Sequence, residues 1–170
     1  MSVQQAILEP HLEPHLELRT EPARAALPAA PAPLRTYALA ALAASVFDLL
    51  ASEPQLAEHQ FLLAHLQAAG GPEGWRKGVQ QALAEPGSYG CREDWPLLTL
   101  AQHLGLSTGE LLAVALAAGV EEEPMVGRVI AYLQQPMGGA RPTLGLLATA
   151  LRSEIASPSP LGDALPPLFA

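Results

Sequence analysis

Histidines, a cysteine and clustered carboxylates are the side chains through which a short chain does chemistry, and here they are few and scattered. His11 and His15 sit in a doubled motif, Glu9-Pro10-His11-Leu12 followed by Glu13-Pro14-His15-Leu16. Two imidazoles four residues apart make a metal or partner motif where the backbone holds them still, and a tolerated duplication where it does not. Prolines at 10, 14, 22, 28, 31 and 33 favour the second reading. His59 and His65 are too far round a helix to offer two ligands together, so both read as satisfied histidines at the surface or its boundary. His103 is expected in the core with a hydrogen-bonded structural role, because no serine, cysteine or acid is fixed beside it for proton relay.

The single cysteine, Cys91, excludes an intramolecular disulfide and a multi-cysteine zinc site. With Arg92 as its one basic neighbour, it reads as a partly buried small side chain rather than a reactive thiol. The acidic run Glu121-Glu122-Glu123 precedes Pro124, where it either complements a helix dipole or forms a recognition patch. The nearest approach to a phosphate-binding loop, Gly70-Gly71-Pro72-Glu73-Gly74-Trp75-Arg76-Lys77, has the wrong spacing and no hydroxyl residue after its lysine. Neither a Gly-x-Ser-x-Gly elbow, nor a His-Glu-x-x-His pair, nor a dinucleotide fingerprint occurs. The chain is therefore expected to hold no catalytic residues, metal or cofactor of its own. An enzyme subunit completed by another chain would rest on His103 and Cys91 alone.

The elements that must position these residues are helical. The spacing of Leu39, Leu42, Val46, Leu49 and Leu50 predicts one core helix over 36–52, with Asp48 on its other side. A second helix is expected from Pro54 to residue 69, burying Leu56, Phe61, Leu62, Leu63 and Leu66 and ended by Gly70-Gly71-Pro72. A third covers 75–85, and 86–90 is a loop. Leu97, Leu98, Leu100, Ala101 and Leu104 form a stripe over 95–104 that stops at Gly105, and Ser107 with Glu110 opens a helix over 108–118 as a capping box. Pro124 begins a helix with Met125, Val129, Ile130 and Leu133 on one face and Tyr132 at its edge, and Thr143 caps a last helix holding Leu144, Leu146, Leu147 and Leu151. The predicted organisation is a disordered proline-rich tail over 1–35 and a mainly α domain over 36–170. That domain is a helical bundle with a degenerate winged-helix or helix-turn-helix core at 92–169 and room for a wing after Ser157.

The pair 95–104 and 108–118 has the grammar of a DNA-reading helix-turn-helix without its chemistry. A recognition helix presents several Arg or Lys to phosphates and base edges, and 108–118 has none. The chain's net charge of −8 also opposes the counterion release behind nonspecific nucleic-acid affinity. Hydrophobic residues make up 49% of the chain and charged residues 15%, so a core can form but the surface must carry many alanines. No apolar run reaches the roughly 20 residues of a membrane span, and residues 1–10 do not read as a secretory signal, so a cytoplasmic location is expected.

Three motifs fall in order: Leu100-Ala101-Gln102-His103-Leu104-Gly105-Leu106-Ser107 with Glu110-Leu111-Leu112, then Gly127-Arg128-Val129-Ile130-Ala131-Tyr132-Leu133-Gln134, then Arg141-Pro142-Thr143-Leu144-Gly145-Leu146. Together, over 94–151 and as far as 169, they resemble the winged-helix-like N-terminal domain that precedes the ATPase module in AAA+ proteins encoded with phage-tail-like contractile injection systems. The resemblance implies a noncatalytic module for protein contacts or ring assembly. ATP hydrolysis would belong to a downstream domain with Walker motifs, and none of the nucleotide-binding residues of that domain has a counterpart here. The implied partner is a AAA+ ATPase ring or an injection-system component. Arg128 and Tyr132 on their helix, and Arg141 in the turn beyond it, are the candidate partner contacts. The alternative is a small helix-turn-helix transcription regulator reading DNA with 108–118.

Overall fold

The computed structural model describes residues 31–155. The doubled Glu-Pro-His-Leu motif, nearly all of the expected tail, the apolar segment 165–169 and any wing after Ser157 lie outside the described residues. Within them the chain is mainly α-helical, without a strand, and no helix is long and apolar enough to cross a membrane.

Helix α1 (Leu34–Ser45) is the centre of the fold and packs against α3 (Ala57–Ala68), α4 (Gly74–Ala84), α6 (Thr108–Glu122) and α8 (Leu144–Ala150). Leu34 and Thr36 through Ala43 are all buried, and Leu34, Leu39 and Leu42 are wholly so. An alanine-rich helix suits this position, because small side chains let neighbours approach from several directions at once. The helix begins two residues before its expected start, so Leu34 and Arg35 belong to the core helix rather than to a tail.

The expected single helix over 36–52 is two helices, α1 and α2 (Phe47–Ser52). The side chain of Ser45 donates to the carbonyl of Leu42 at 2.7 Å, competing with the helix ladder, and Val46 leaves helical geometry at φ −120°. Leu49, expected on the core face, is exposed as a result, and Leu50 is buried. Pro54 does not start a helix. The Glu53 carbonyl accepts from Leu56 N–H and lies 2.7 Å from Nδ1 of His59, which holds 53–56 in a turn before α3.

Glycines close two helices where the sequence marks them. At the end of α3, Gly70 and Gly71 both have positive φ, and their N–H groups return to the carbonyls of Gln67 and Leu66 in a Schellman pattern. Gly105, at φ 62°, ends α5 (Trp95–Leu104), and Leu106 N–H bonds back to Ala101. Ser107 then caps α6 as expected: its N–H and Oγ–H donate to Glu110 Oε2 at 2.8 Å, and its Oγ accepts from Glu110 N–H. Helix α6 runs four residues past its expected end and takes in Glu121 and Glu122. It is covered by α1, by α7 (Pro124–Leu133) and by the terminal α9 (Arg152–Ile155).

Candidate functional site

The three candidate contact residues fall in two places. Arg128 and Tyr132 stand one turn apart on α7 and both reach α3. Arg128 Nη2 bonds Glu58 Oε1 at 2.5 Å, and the Tyr132 hydroxyl lies 3.0 Å from Nε2 of His59. His59, expected at the surface or its boundary, is fully buried. Its Nδ1 faces a carbonyl, which can only accept, so Nδ1 carries the proton and the Tyr132 hydroxyl donates to Nε2. The two rings meet edge to face, with centroids 5.2 Å apart. Backbone hydrogen bonding, reinforced by the Arg128 guanidinium, holds the Glu58 carboxyl below its ordinary value. These contacts clasp α3 to α7.

Arg141 stands apart from that clasp, at the rim of an open groove of about 390 Å³ between α6 and α8. Ala113, Val114 and Ala117 of α6, with Pro142 and Leu147, give it an apolar floor, and Arg141 pairs with Glu121 across the edge at 3.3 Å. Gln134 builds this rim. Its Nε2 donates to the carbonyls of Gly139 and Arg141 at 2.7 and 3.0 Å, and its Oε1 accepts from Thr143 N–H at 2.7 Å. One side chain thereby folds the turn that carries Arg141-Pro142 and sets the start of α8, which Thr143 Oγ1 caps through Leu146 N–H. Leu144, one turn before Leu147 on that helix, is 67% exposed.

Each residue of the acidic run has a cation of this chain beside it. Glu121 pairs with Arg141, while Glu122 and Glu123 face Arg35 of α1 at 2.9 and 3.8 Å. The Arg35 stem crosses α6 at Gly119, where a Cβ would lie 3.1 Å from Arg35 Cδ. The run therefore ties helices together as well as preceding α7. His103, expected in the core, is exposed on α5, its Nδ1 satisfied by the Thr99 carbonyl at 2.8 Å. The helix is amphipathic, but Leu100 and Leu104 lie outside with His103, while Leu98 and Ala101 face inward.

No protein-family model, curated protein or solved structure matches the chain. The groove and the exposed apolar residues must be interpreted from their own chemistry.

A polar cluster unmarked in the sequence gathers where the chain enters α1. Asp94 Oδ2 accepts from Leu34 N–H at 2.7 Å, the Tyr89 hydroxyl donates to the Ala32 carbonyl, the Tyr37 hydroxyl accepts from Ala32 N–H at 3.1 Å, and the Cys91 thiol donates to the Pro31 carbonyl at 3.3 Å. Burial raises the Tyr89 hydroxyl, the Cys91 thiol and the Asp94 carboxyl above their ordinary values. A thiol shifted that way is a poor nucleophile at neutral pH, so the cluster works as a clamp on 31–34. Three of its four contacts join partners about 60 residues apart in sequence, which no local spacing could have revealed.

Proposed function

We propose that this chain is a noncatalytic protein–protein interaction module that serves, in the cytoplasm, a AAA+ ATPase ring or a component of a contractile injection system. It would do so in the manner of the N-terminal domains it resembles, with a degenerate winged-helix core. The observation that carries this reading is the α6–α8 groove: an open apolar floor and a charged rim at Arg141 and Glu121, with Leu144 exposed at the start of α8, the helix that contributes Leu147 to the floor. Apolar floors with a polar rim are what protein partners cover. The rim is shaped by Gln134, Arg141 and Thr143, which belong to the motifs that carry the resemblance. Arg128 and Tyr132 support the same reading more weakly, since both also hold α3.

The DNA-reading alternative lacks a comparable support. The exposed residues of α6 are Ala117, Ala118, Glu121 and Glu122, and that helix has no Lys or Arg to meet a phosphate.

The deciding experiment places a photocrosslinking amino acid at position 144 in the full chain and mixes it with an injection-system AAA+ ATPase and with the particle's structural proteins. Adducts to one of these, lost in Ala117→Arg, are the expected result. Absence of adducts to any of them rejects the proposal, and a sequence-specific gel shift that weakens with salt would install the DNA reader in its place.

A further inference from the structure

We infer that the Arg76–Glu154 ion pair is a latch that sets the width of the α6–α8 groove from a distance, by holding the end of the helix that walls it. The inference rests on the reading above for what the groove receives, and on geometry alone for how its width is fixed.

The wall is held by its ends. Of the described residues of α8, Leu147 alone is buried, while Leu144, Gly145, Ala148 and Thr149 face solvent. A helix with so little burial gains little from its own packing, and its place depends on what fixes the chain before and after it. Before it stands the turn folded by Gln134. After it, Leu151 N–H donates to the Leu147 carbonyl at 2.8 Å and the Leu151 carbonyl accepts from Glu154 N–H at 2.9 Å, so α8 runs into α9 without slack. Helix α8 leans on α1, whereas α9 packs against α6. The seat of α9 therefore sets how far Leu147 stands from Ala113, Val114 and Ala117 across the groove.

The latch reaches α9 from α4. Arg76 Nε donates to Glu154 Oε1 at 2.9 Å, joining residues 78 positions apart, and neither lines the groove. The guanidinium is already oriented. Its Nη1 bonds both Glu73 oxygens at 3.1 Å, and its carbon lies 4.5 Å from the centre of the Trp75 ring, which is anchored in the core at 1% exposure. An arginine positioned in this way loses little side-chain freedom on meeting a carboxylate. The Glu154 side chain is 14% exposed, so water screens this pair less than the open surface pairs of the chain.

Pulsed spin–spin distance measurement on the full chain tests the latch without a partner. Nitroxides in place of exposed Ala118 and Ala148 read the groove, and nitroxides in place of exposed Gln60 on α3 and Gln81 on α4 read the rest of the bundle. Cys91→Ser removes the single natural thiol and keeps a donor for the Pro31 carbonyl. The expected result is one narrow 118–148 distribution that Glu154→Gln and Arg76→Ala each broaden toward longer distances, with 60–81 unchanged. Glu73→Gln removes a charge from the same arginine without touching α9 and should leave the groove narrow. An unchanged 118–148 distribution in Glu154→Gln and Arg76→Ala overturns the latch, as does an equal change in Glu73→Gln or at 60–81. Crosslinking from position 144 separates this result from the reading it rests on, with adducts expected to fall in Glu154→Gln and to persist in Glu73→Gln. A moved wall with no adducts from any variant supports the latch and rejects the partner, and adducts beside an unmoved wall do the reverse.

Discussion

The N–H of Leu34 donates to the carboxylate of Asp94, sixty positions away, over 2.7 Å. Helix α1 starts after Pro33, which has no side-chain acceptor for the first free N–H groups, so a residue from another element caps the helix on which the core is built. Asp94→Ala is expected to lower unfolding free energy by about 1–2 kcal/mol in urea melts, with Asp94→Asn closer to the natural chain because its amide oxygen still accepts. Burial raises the Asp94 carboxyl, and the Leu34 hydrogen bond opposes that shift without cancelling it. A folded-state value above the unfolded one favours the folded protein most in acid, and this contribution is lost as pH rises through the raised value. The stability of the natural chain relative to Asp94→Asn should therefore fall from acid toward neutral pH. A difference that grows toward neutral pH would contradict the burial of this carboxyl.

Gly78 and Gly145 should respond to alanine with opposite signs. A Cβ at Gly78 of α4 would lie 2.3 Å from Cζ of Tyr37, whose hydroxyl is pinned by Ala32 N–H. The ring has no free direction in which to yield, so Gly78→Ala should cost about 1–3 kcal/mol. At exposed Gly145 on α8 the nearest atom would be Thr143 Oγ1 at 3.9 Å, and alanine should add about 0.5–1 kcal/mol by helix propensity. Thermal unfolding of the two variants side by side checks both signs.

The hydroxyl of Tyr132 satisfies a buried imidazole nitrogen of His59. Tyr132→Phe leaves that nitrogen without its donor and should cost about 1–3 kcal/mol. A double-mutant cycle with His59→Leu should show coupling, because the second change removes the group that the first one strands. Nitrogen NMR should find His59 with its proton on Nδ1. A proton on Nε2 would mean that the Glu53 carbonyl is not the partner and that the α3–α7 clasp is differently built.

These effects mark the boundary of what the sequence discloses. Ser107-x-x-Glu110, Gly105, Gly70-Gly71 and the Pro124 start act within a few residues of themselves, and the structure realises each one. The same local logic misplaces His103 and Leu49, because helical spacing says that a face is apolar without saying whether another element covers it. His59 fails the other way: its burial depends on Tyr132, 73 positions distant. In the candidate site, Arg141 and Gln134 stand in a recognisable motif. The floor at Ala113, Val114 and Ala117 becomes a groove only through Pro142 and Leu147, and no periodicity within 108–118 could disclose that.

Two arginines that both face the acidic run separate holding the fold from serving a partner. The Arg35 side chain is 31% exposed, lies across Gly119 and bonds Glu122 at 2.9 Å, so its stem contributes packing as well as charge. The Arg141 side chain is 84% exposed and its contact with Glu121 is long at 3.3 Å, the kind of surface pair that contributes little. Arg35→Ala should cost about 1–2 kcal/mol of stability, and Arg141→Ala less than about 0.5 kcal/mol. Crosslinking from position 144 should respond in the opposite order. Losing Arg141 strips the rim of its cation and leaves Glu121 facing the partner alone, whereas Arg35 lies away from the groove lining. Urea melts and crosslinking yields measured on the same two variants test the assignment. If Arg141→Ala leaves the yield at the natural level, the charged rim plays no part in recognition and the apolar floor alone must hold the partner.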